Sequence, residues 1–314
     1  MKDIIMFHGS FFDLFSGILE VKDMNMLISV IVGGLVLGCT YGMLSLGYSL
    51  IYQASGYMNF TQATLLMFGS FLAWQFLGMG IPFIAALFLA VVIMFFIGWM
   101  MERFVIRILV NKKAKNVYVV LATLALSIIM ENAAMLIWDS RPHYFPALFK
   151  NNQIKIAGTT VSKESILCIA VAFLAMLILH FFLNKTKFGT AMRAAAQSKT
   201  AASCMGINVN LTIGVTYGIA AALACLGGIL VAPTLYVSYQ LGAQLSAKSF
   251  AGAVIGGYGN IYGAIVGAIL IGLLETFVGA YVSSAYKEFI VYGVMVLFMI
   301  FKPSGIFNAK VYEV

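Results

Sequence analysis

The chain has 314 residues, 62% of them hydrophobic and only 10% charged, with a mean hydropathy of +0.99. A soluble domain carries about 25% charged residues, so this composition excludes one large soluble core and describes an integral membrane protein. The net charge of +8 does not point to nucleic acid, because the basic residues sit in short loops between apolar runs, where the positive-inside tendency places them.

Residues 1–25 mix Asp3, Asp13, Glu20 and Asp23 with Lys2 and Lys22, so they lack the basic start of a signal peptide. Phe7, Phe11, Leu14, Phe15 and Ile18 recur at helical spacing, which predicts an amphipathic helix in the membrane interface. Residues 26–314 form the transmembrane domain. Apolar runs long enough to span cover 26–50, 59–78, 81–101, 117–138, 165–183, 211–236 and 261–282, with 287–302 slightly shorter. The run 249–257 is too short to cross alone and reads as half of a broken or re-entrant helix. The expected fold is therefore all-α and polytopic, with about eight or nine transmembrane helices. The runs do not alternate at period two, which argues against a transmembrane β-barrel.

Gly34, Gly38 and Gly42 are spaced by four, as are Gly259, Gly263 and Gly267, and Gly252 and Gly256 make a further pair. Small residues four apart let helix backbones approach closely in lipid, so these positions predict tight glycine-mediated packing. Glu131, Asn132 and Glu275 lie inside spans. Buried ionisable groups face a bundle interior, either as part of a substrate path or as interhelical hydrogen-bond partners. At Gly56-Tyr57-Met58-Asn59-Phe60-Thr61-Gln62-Ala63-Thr64 several neutral polar groups open a span just after a glycine. One reading is a helix start whose free N–H groups meet a ligand carboxylate; the other is a capped loop. Asn59, Gln62 and Glu131 are the candidates for a substrate path.

The clearest polar interruption is 184–210, which carries Lys185, Lys187, Arg193 and Lys199 and no acid. Its alanine-rich middle, Ala191 to Ser203, predicts a short helix, which Gly206 stops. If this stretch and 102–116 face the cytoplasm, Arg103, Arg107, Lys112, Lys113 and Lys115 lie inside as well. The N-terminus is then outside and the C-terminus inside, which requires an odd number of crossings. Cys39, Cys168, Cys204 and Cys225 form no C-x-x-C pair, and His8, His143 and His180 are far apart; neither a disulfide framework nor a metal site is expected. No P-loop or dinucleotide fingerprint occurs, nor any hydrolase motif, so the chain is expected to bind no cofactor and to be no enzyme.

These motifs together resemble the permease subunits of branched-chain amino acid ABC importers, of the LivH type. GCTYGMLSLGYSLIYQASGYMNF at 38–60 is similar to the family's first-span pattern, including Gly56, Asn59 and Phe60. Glu102-Arg103 resembles the pair that ends the third span. FGTAMRAAAQSKTAASCMGIN at 188–208 resembles the cytoplasmic coupling segment, with Gly189, Arg193, Ala196, Ala202, Gly206, Ile207 and Asn208 in place; all of these but Ala202, with Lys199, are the candidates for ATPase coupling. AGAVIGGYGNIYGAIVGAILIGLLE at 251–275 and YKEFIVYGVMVLFMIFKPSGIF at 286–307 resemble the glycine-rich signature and the tail. The resemblance implies a multi-pass permease of the bacterial or archaeal cytoplasmic membrane. It also implies a second homologous permease, two cytoplasmic ATPase subunits that use the ATP, and an extracytoplasmic substrate-binding protein. Transport would proceed by alternating access. Two departures stand out. Gln197 and Ser198 occupy positions where the family often has acids, and Thr61-Gln62-Ala63-Thr64 follows Asn-Phe where Ala-His-Gly is common. They leave urea or a short amide as an alternative substrate. An ion-coupled secondary transporter would need coupling carboxylates, for which Glu131 and Glu275 are the candidates.

Overall fold

The computed structural model describes residues 24–146, 148–149, 153–156, 159–302 and 304–307. The interfacial helix expected over 1–25 lies outside them except for its last two residues, which already belong to the first helix. The described residues form α1 (Met24–Ser55), α2 (Gln62–Gly78), α3 (Phe83–Met101), a π turn (Glu102–Ile106), α4 (Arg107–Asn111) and α5 (Asn116–Trp138). A small antiparallel hairpin follows, β1 (Gln153–Ile156) and β2 (Thr159–Ser162), with Gln153 opposite Ser162. Then come α6 (Lys163–Lys185), α7 (Lys187–Gln197), α8 (Lys199–Cys204), α9 (Val209–Leu235), α10 (Leu241–Gly256), α11 (Ile261–Tyr281) and α12 (Lys287–Phe301). Among the described residues, six helical stretches are long and apolar enough to cross a membrane: Met26–Ser55, Phe83–Asn111, Asn116–Trp138, Lys163–Lys185, Val209–Leu235 and Ile261–Tyr281. In hydrocarbon the backbone must satisfy its own polar groups, and the helix does so within one segment.

Three boundaries differ from the sequence expectation. α1 runs on to Ser55, and α3 continues through the π turn to Asn111, so the expected 102–116 loop shrinks to 112–115. The segment expected as 249–257 is a 16-residue helix that starts at Leu241. Gln244, Ser246, Lys248 and Ser249 hid its first half, because they break the apolar run. Inside the bundle two of them are accommodated: Ser249 donates to the Leu245 carbonyl and Lys248 is ion-paired.

The helices fall into two units of opposite direction. α1, α2, α3–α4 and α5 form the first; α9, α10, α11 and α12 form the second. Each opens on a long helix followed by a shorter one that starts part-way through the bundle. Gln62, first in α2, meets Gly47 of α1 and donates to the Ala220 carbonyl of α9. Gly242, near the start of α10, lies against Ala63. From this meeting point α2 runs towards Trp138 and His143, while α10 runs towards Tyr52 and Gly263. The long helix of each unit packs most extensively on the third helix of the other, α1 on α11 and α9 on α3. This is an inverted-topology arrangement in which the second helix of each unit is short, 17 residues in α2 and 16 in α10.

The exchanged contacts are made by small residues. A β-carbon on Gly38 would lie 2.9 Å from the Ile269 Cα, and one on Gly34 would lie 2.9 Å from a Leu273 methyl. Gly42 faces Met176 of α6. Gly263 and Gly267 of α11 meet the backbone of Gly252 and Gly256 in α10. Gly259 departs from the expected triplet: it sits in the turn before α11 with φ +88°, beside Tyr52. Gly56, Gly80, Gly206 and Gly257, each in a short connection between helices, also take positive φ.

Candidate functional site

The basic segment folds as two helices, where one was expected. Thr186 caps the first, accepting from the Gly189 N–H at 3.0 Å and donating to the Phe182 carbonyl at 2.6 Å. Gly189 lets α7 turn directly off α6, since a side chain there would strike the Phe182 and Leu183 backbone. α7 is amphipathic, with Met192 and Ala195 buried and Arg193 exposed. Ser198 breaks the run: it ends α7 in extended geometry and its hydroxyl accepts from the Ala201 N–H at 3.2 Å, starting α8. Gly206, at φ +78°, ends α8, and Asn208 caps α9 by accepting from the Leu211 N–H at 3.1 Å.

The candidate coupling residues face different ways. Arg193 lies at the surface and donates to Asn184 at 3.1 Å. Gly206 and Asn208 are exposed, while Ala196 and Ile207 are half-buried. Lys199 points inward, donates to the Ser55 carbonyl at 2.7 Å and lies 5.5 Å from the Tyr57 ring centre. Burial pushes its ammonium below the usual lysine range. The segment overhangs a cleft of about 450 Å³ whose walls include Ser55, Tyr57, Glu102, Arg107, Lys199 and Asn208. Glu102 pairs with Arg107, which donates from Nε at 3.0 Å and reaches the Asn210 carbonyl at 2.8 Å. The π turn brings residues five apart onto one another. Arg103 instead lies over the Trp99 ring at 5.4 Å. A second recess, about 400 Å³, holds His180, Asn184, Arg193, Asn260 and Tyr262.

The candidate path residues are dispersed. Asn59 is buried; its oxygen accepts from the Thr61 N–H at 3.2 Å, and its Nδ2 has no partner among the described residues. Gln62 is buried too; it donates to Ala220 at 2.7 Å, and its Oε1 has no partner among the described residues. These two sit where the short helices α2 and α10 begin. Glu131 is half-exposed on the outer helix α5 and does not join them. Glu275 lies elsewhere, in a buried ion pair with Lys248. Sequence reasoning named the acid and missed the lysine. A lysine between two apolar stretches was the available signal, lost because the helix was started one residue beyond it.

Long apolar helices, two short inner helices meeting end to end and buried polar residues at their junction define a multi-pass membrane protein of the permease class. The chain belongs to the family described as the permease component of the branched-chain amino acid transport system, which matches residues 30–299. It is 31% identical over 288 residues to the high-affinity branched-chain amino acid transport system permease protein LivH of Escherichia coli K12 and to that of Salmonella typhimurium, covering 87% of this chain and 92% of each relative. It is 30% identical over 290 residues to the corresponding protein BraD of Pseudomonas aeruginosa, covering 88% and 94%. Among solved structures, PsaBC from Streptococcus pneumoniae in complex with Fab aligns with 92% of this chain and 96% of that one, at 14% identity and a TM-score of 0.46.

Proposed function

We propose that this chain is the transmembrane permease subunit of an ATP-binding cassette importer that carries branched-chain and other apolar amino acids across the cytoplasmic membrane. The reading rests on the family and on one observation: α7 and the turn between α8 and α9 present Arg193, Gly206 and Asn208 outward while Lys199 ties the same segment to the end of α1. One of the two ATPase subunits docks there, the other on the partner permease, and their ATP-driven closure moves α1 through that tether. α1 packs on α10 and α11, so its displacement shifts the helices of the second unit as a body, an alternating-access change. The chain supplies no ATP site and does no covalent chemistry. A second homologous permease completes the channel, and an extracytoplasmic binding protein delivers the substrate.

The test is uptake of radiolabelled leucine into vesicles holding this chain with its ATPases, partner permease and binding protein, with and without internal ATP. Uptake that needs ATP and disappears when the ATPases are omitted supports the reading. ATP-independent uptake that follows an ion gradient replaces it with a secondary transporter. Uptake of urea or a short amide in place of leucine keeps the architecture and changes the substrate.

A further inference from the structure

The coupling segment leaves one charged cluster unexplained. Lys248, on the second turn of α10, places its Nζ 2.6 Å from Glu275 Oε1 of α11. The other Glu275 oxygen accepts from the Tyr41 hydroxyl of α1 at 2.7 Å. Glu288, at the start of α12, lies 3.4 Å from the Lys248 Nζ, and Lys287 lies 3.5 Å from Glu275 Oε1. Two lysines and two glutamates therefore balance. The inner pair is closed, with side chains 8% and 4% exposed, whereas Lys287 and Glu288 are 38% and 61% exposed. The cluster opens at the α11–α12 turn, and α11 and α12 end and begin there, away from the coupling segment.

Stability alone is a weak reason for this pair. Desolvating each ion costs several kcal/mol, and apolar residues of equal volume often hold a fold as well. Charges at depth mark binding sites and pathways by default. The pair also has a property that a helix pin does not need. It presents one cation and one anion side by side, held in place by Tyr41, with a second pair at the rim. A zwitterion brings the same two charges close together. On entry its carboxylate takes the place of Glu275 at Lys248, and its ammonium takes the place of Lys248 at Glu275. Every buried charge exchanges one partner for another and none is left alone.

We propose that Lys248 and Glu275 form a zwitterion site, with Lys248 receiving the α-carboxylate and Glu275 the α-ammonium of an amino acid that enters past Lys287 and Glu288. The proposal rests on the amino-acid importer reading above and adds where the permease itself senses the head group.

The first experiment uses the assembled complex with Lys248 and Glu275 intact. A cysteine replaces Glu288 at the rim, on a Cys204→Ser background that removes the exposed thiol. Its labelling by a charged thiol reagent is timed with millimolar leucine, leucinamide or 4-methyl-2-oxopentanoate. Leucine slows labelling severalfold, while the two single-charge analogues do not. No protection by leucine, or equal protection by all three, overturns the proposal.

The second experiment compares Lys248→Met, Glu275→Met and the double variant in proteoliposomes, with assembly checked by copurification. Leucine uptake falls at least about tenfold in all three. A double variant that assembles and takes up leucine at the wild-type rate identifies the pair as a mere pin and overturns the proposal while leaving the importer reading intact. A wild-type complex that carries urea and no amino acid removes the zwitterion site together with the amino-acid substrate and leaves the importer architecture standing.

Discussion

Lys199 reaches across the chain to Ser55: its Nζ donates to that carbonyl at 2.7 Å, joining the start of α8 to the last residue of α1. The carbonyls at a helix C-terminus lack intrahelical donors, and a cation there also meets the negative end of the helix dipole. Lys199→Met keeps the stem and removes the charge. Leucine uptake by the assembled complex is expected to fall severalfold with copurification of the ATPases unchanged, whereas Lys199→Arg keeps most of it. Full uptake in Lys199→Met would show that the tether transmits nothing.

Ser198 serves as the end of one helix and the cap of the next. Ser198→Ala is expected to lose about 1 kcal/mol and to lower the melting temperature of the purified protein. Ser198→Asp restores the cap and the melting temperature. An alanine variant as stable as wild type removes the capping role.

The backbones of Gly256 and Gly263 touch, whereas Gly293 has open space around it. Gly263→Leu should prevent accumulation of folded protein in the membrane, with Gly293→Leu close to wild type. Immunoblots of membrane fractions and size-exclusion profiles separate the two outcomes. Equal accumulation would mean that α10 and α11 can part without penalty.

Glu102 is only 3% exposed and its counter-charge comes from Arg107. Arg107→Ala leaves that carboxylate unpaired, with an expected loss of about 3 kcal/mol. Adding Glu102→Gln to Arg107→Ala recovers at least half of it, because the stranded charge is gone. A double-mutant cycle on thermal unfolding reads the coupling directly; additive losses would assign the effect to packing.

Gln62 hydrogen-bonds the Ala220 backbone and rests on Gly47. Gln62→Ala therefore lowers stability together with uptake. Asn59→Ala is expected to lower uptake while assembly persists. Normal uptake in both variants removes them from the path.

Much of this architecture could be read from hydropathy, because a lipid-facing helix has to be apolar and long. The spans around Phe83, Asn116, Lys163 and Ile261 follow from that rule alone. The rule failed where polar residues are hidden by partners distant in sequence. Lys248 is 27 residues from Glu275, and no local pattern signals the pair. The π turn at Glu102 was equally silent, since its effect is on register and composition does not record it. In the coupling segment Gly206 and the alanine run were legible as a helix and its stop. The inward aim of Lys199 was not, because its partner is a backbone carbonyl in another helix. Gly34 and Gly38 could be picked out by spacing, but spacing could not tell that they meet α11 or that Gly259 lies outside it.

The exchange of helices between the two units also sets a timetable for synthesis. α1 leaves the ribosome first, yet the surface its glycines fit, at Ile269 and Leu273, is translated more than two hundred residues later. Until then the nascent α1 has only lipid or the insertion machinery for company, and the first four helices cannot lock as an independent folding unit. A chain ending after residue 240 is therefore expected to be cleared by membrane proteases. Supplying 241–314 as a separate polypeptide in the same cell should rescue it.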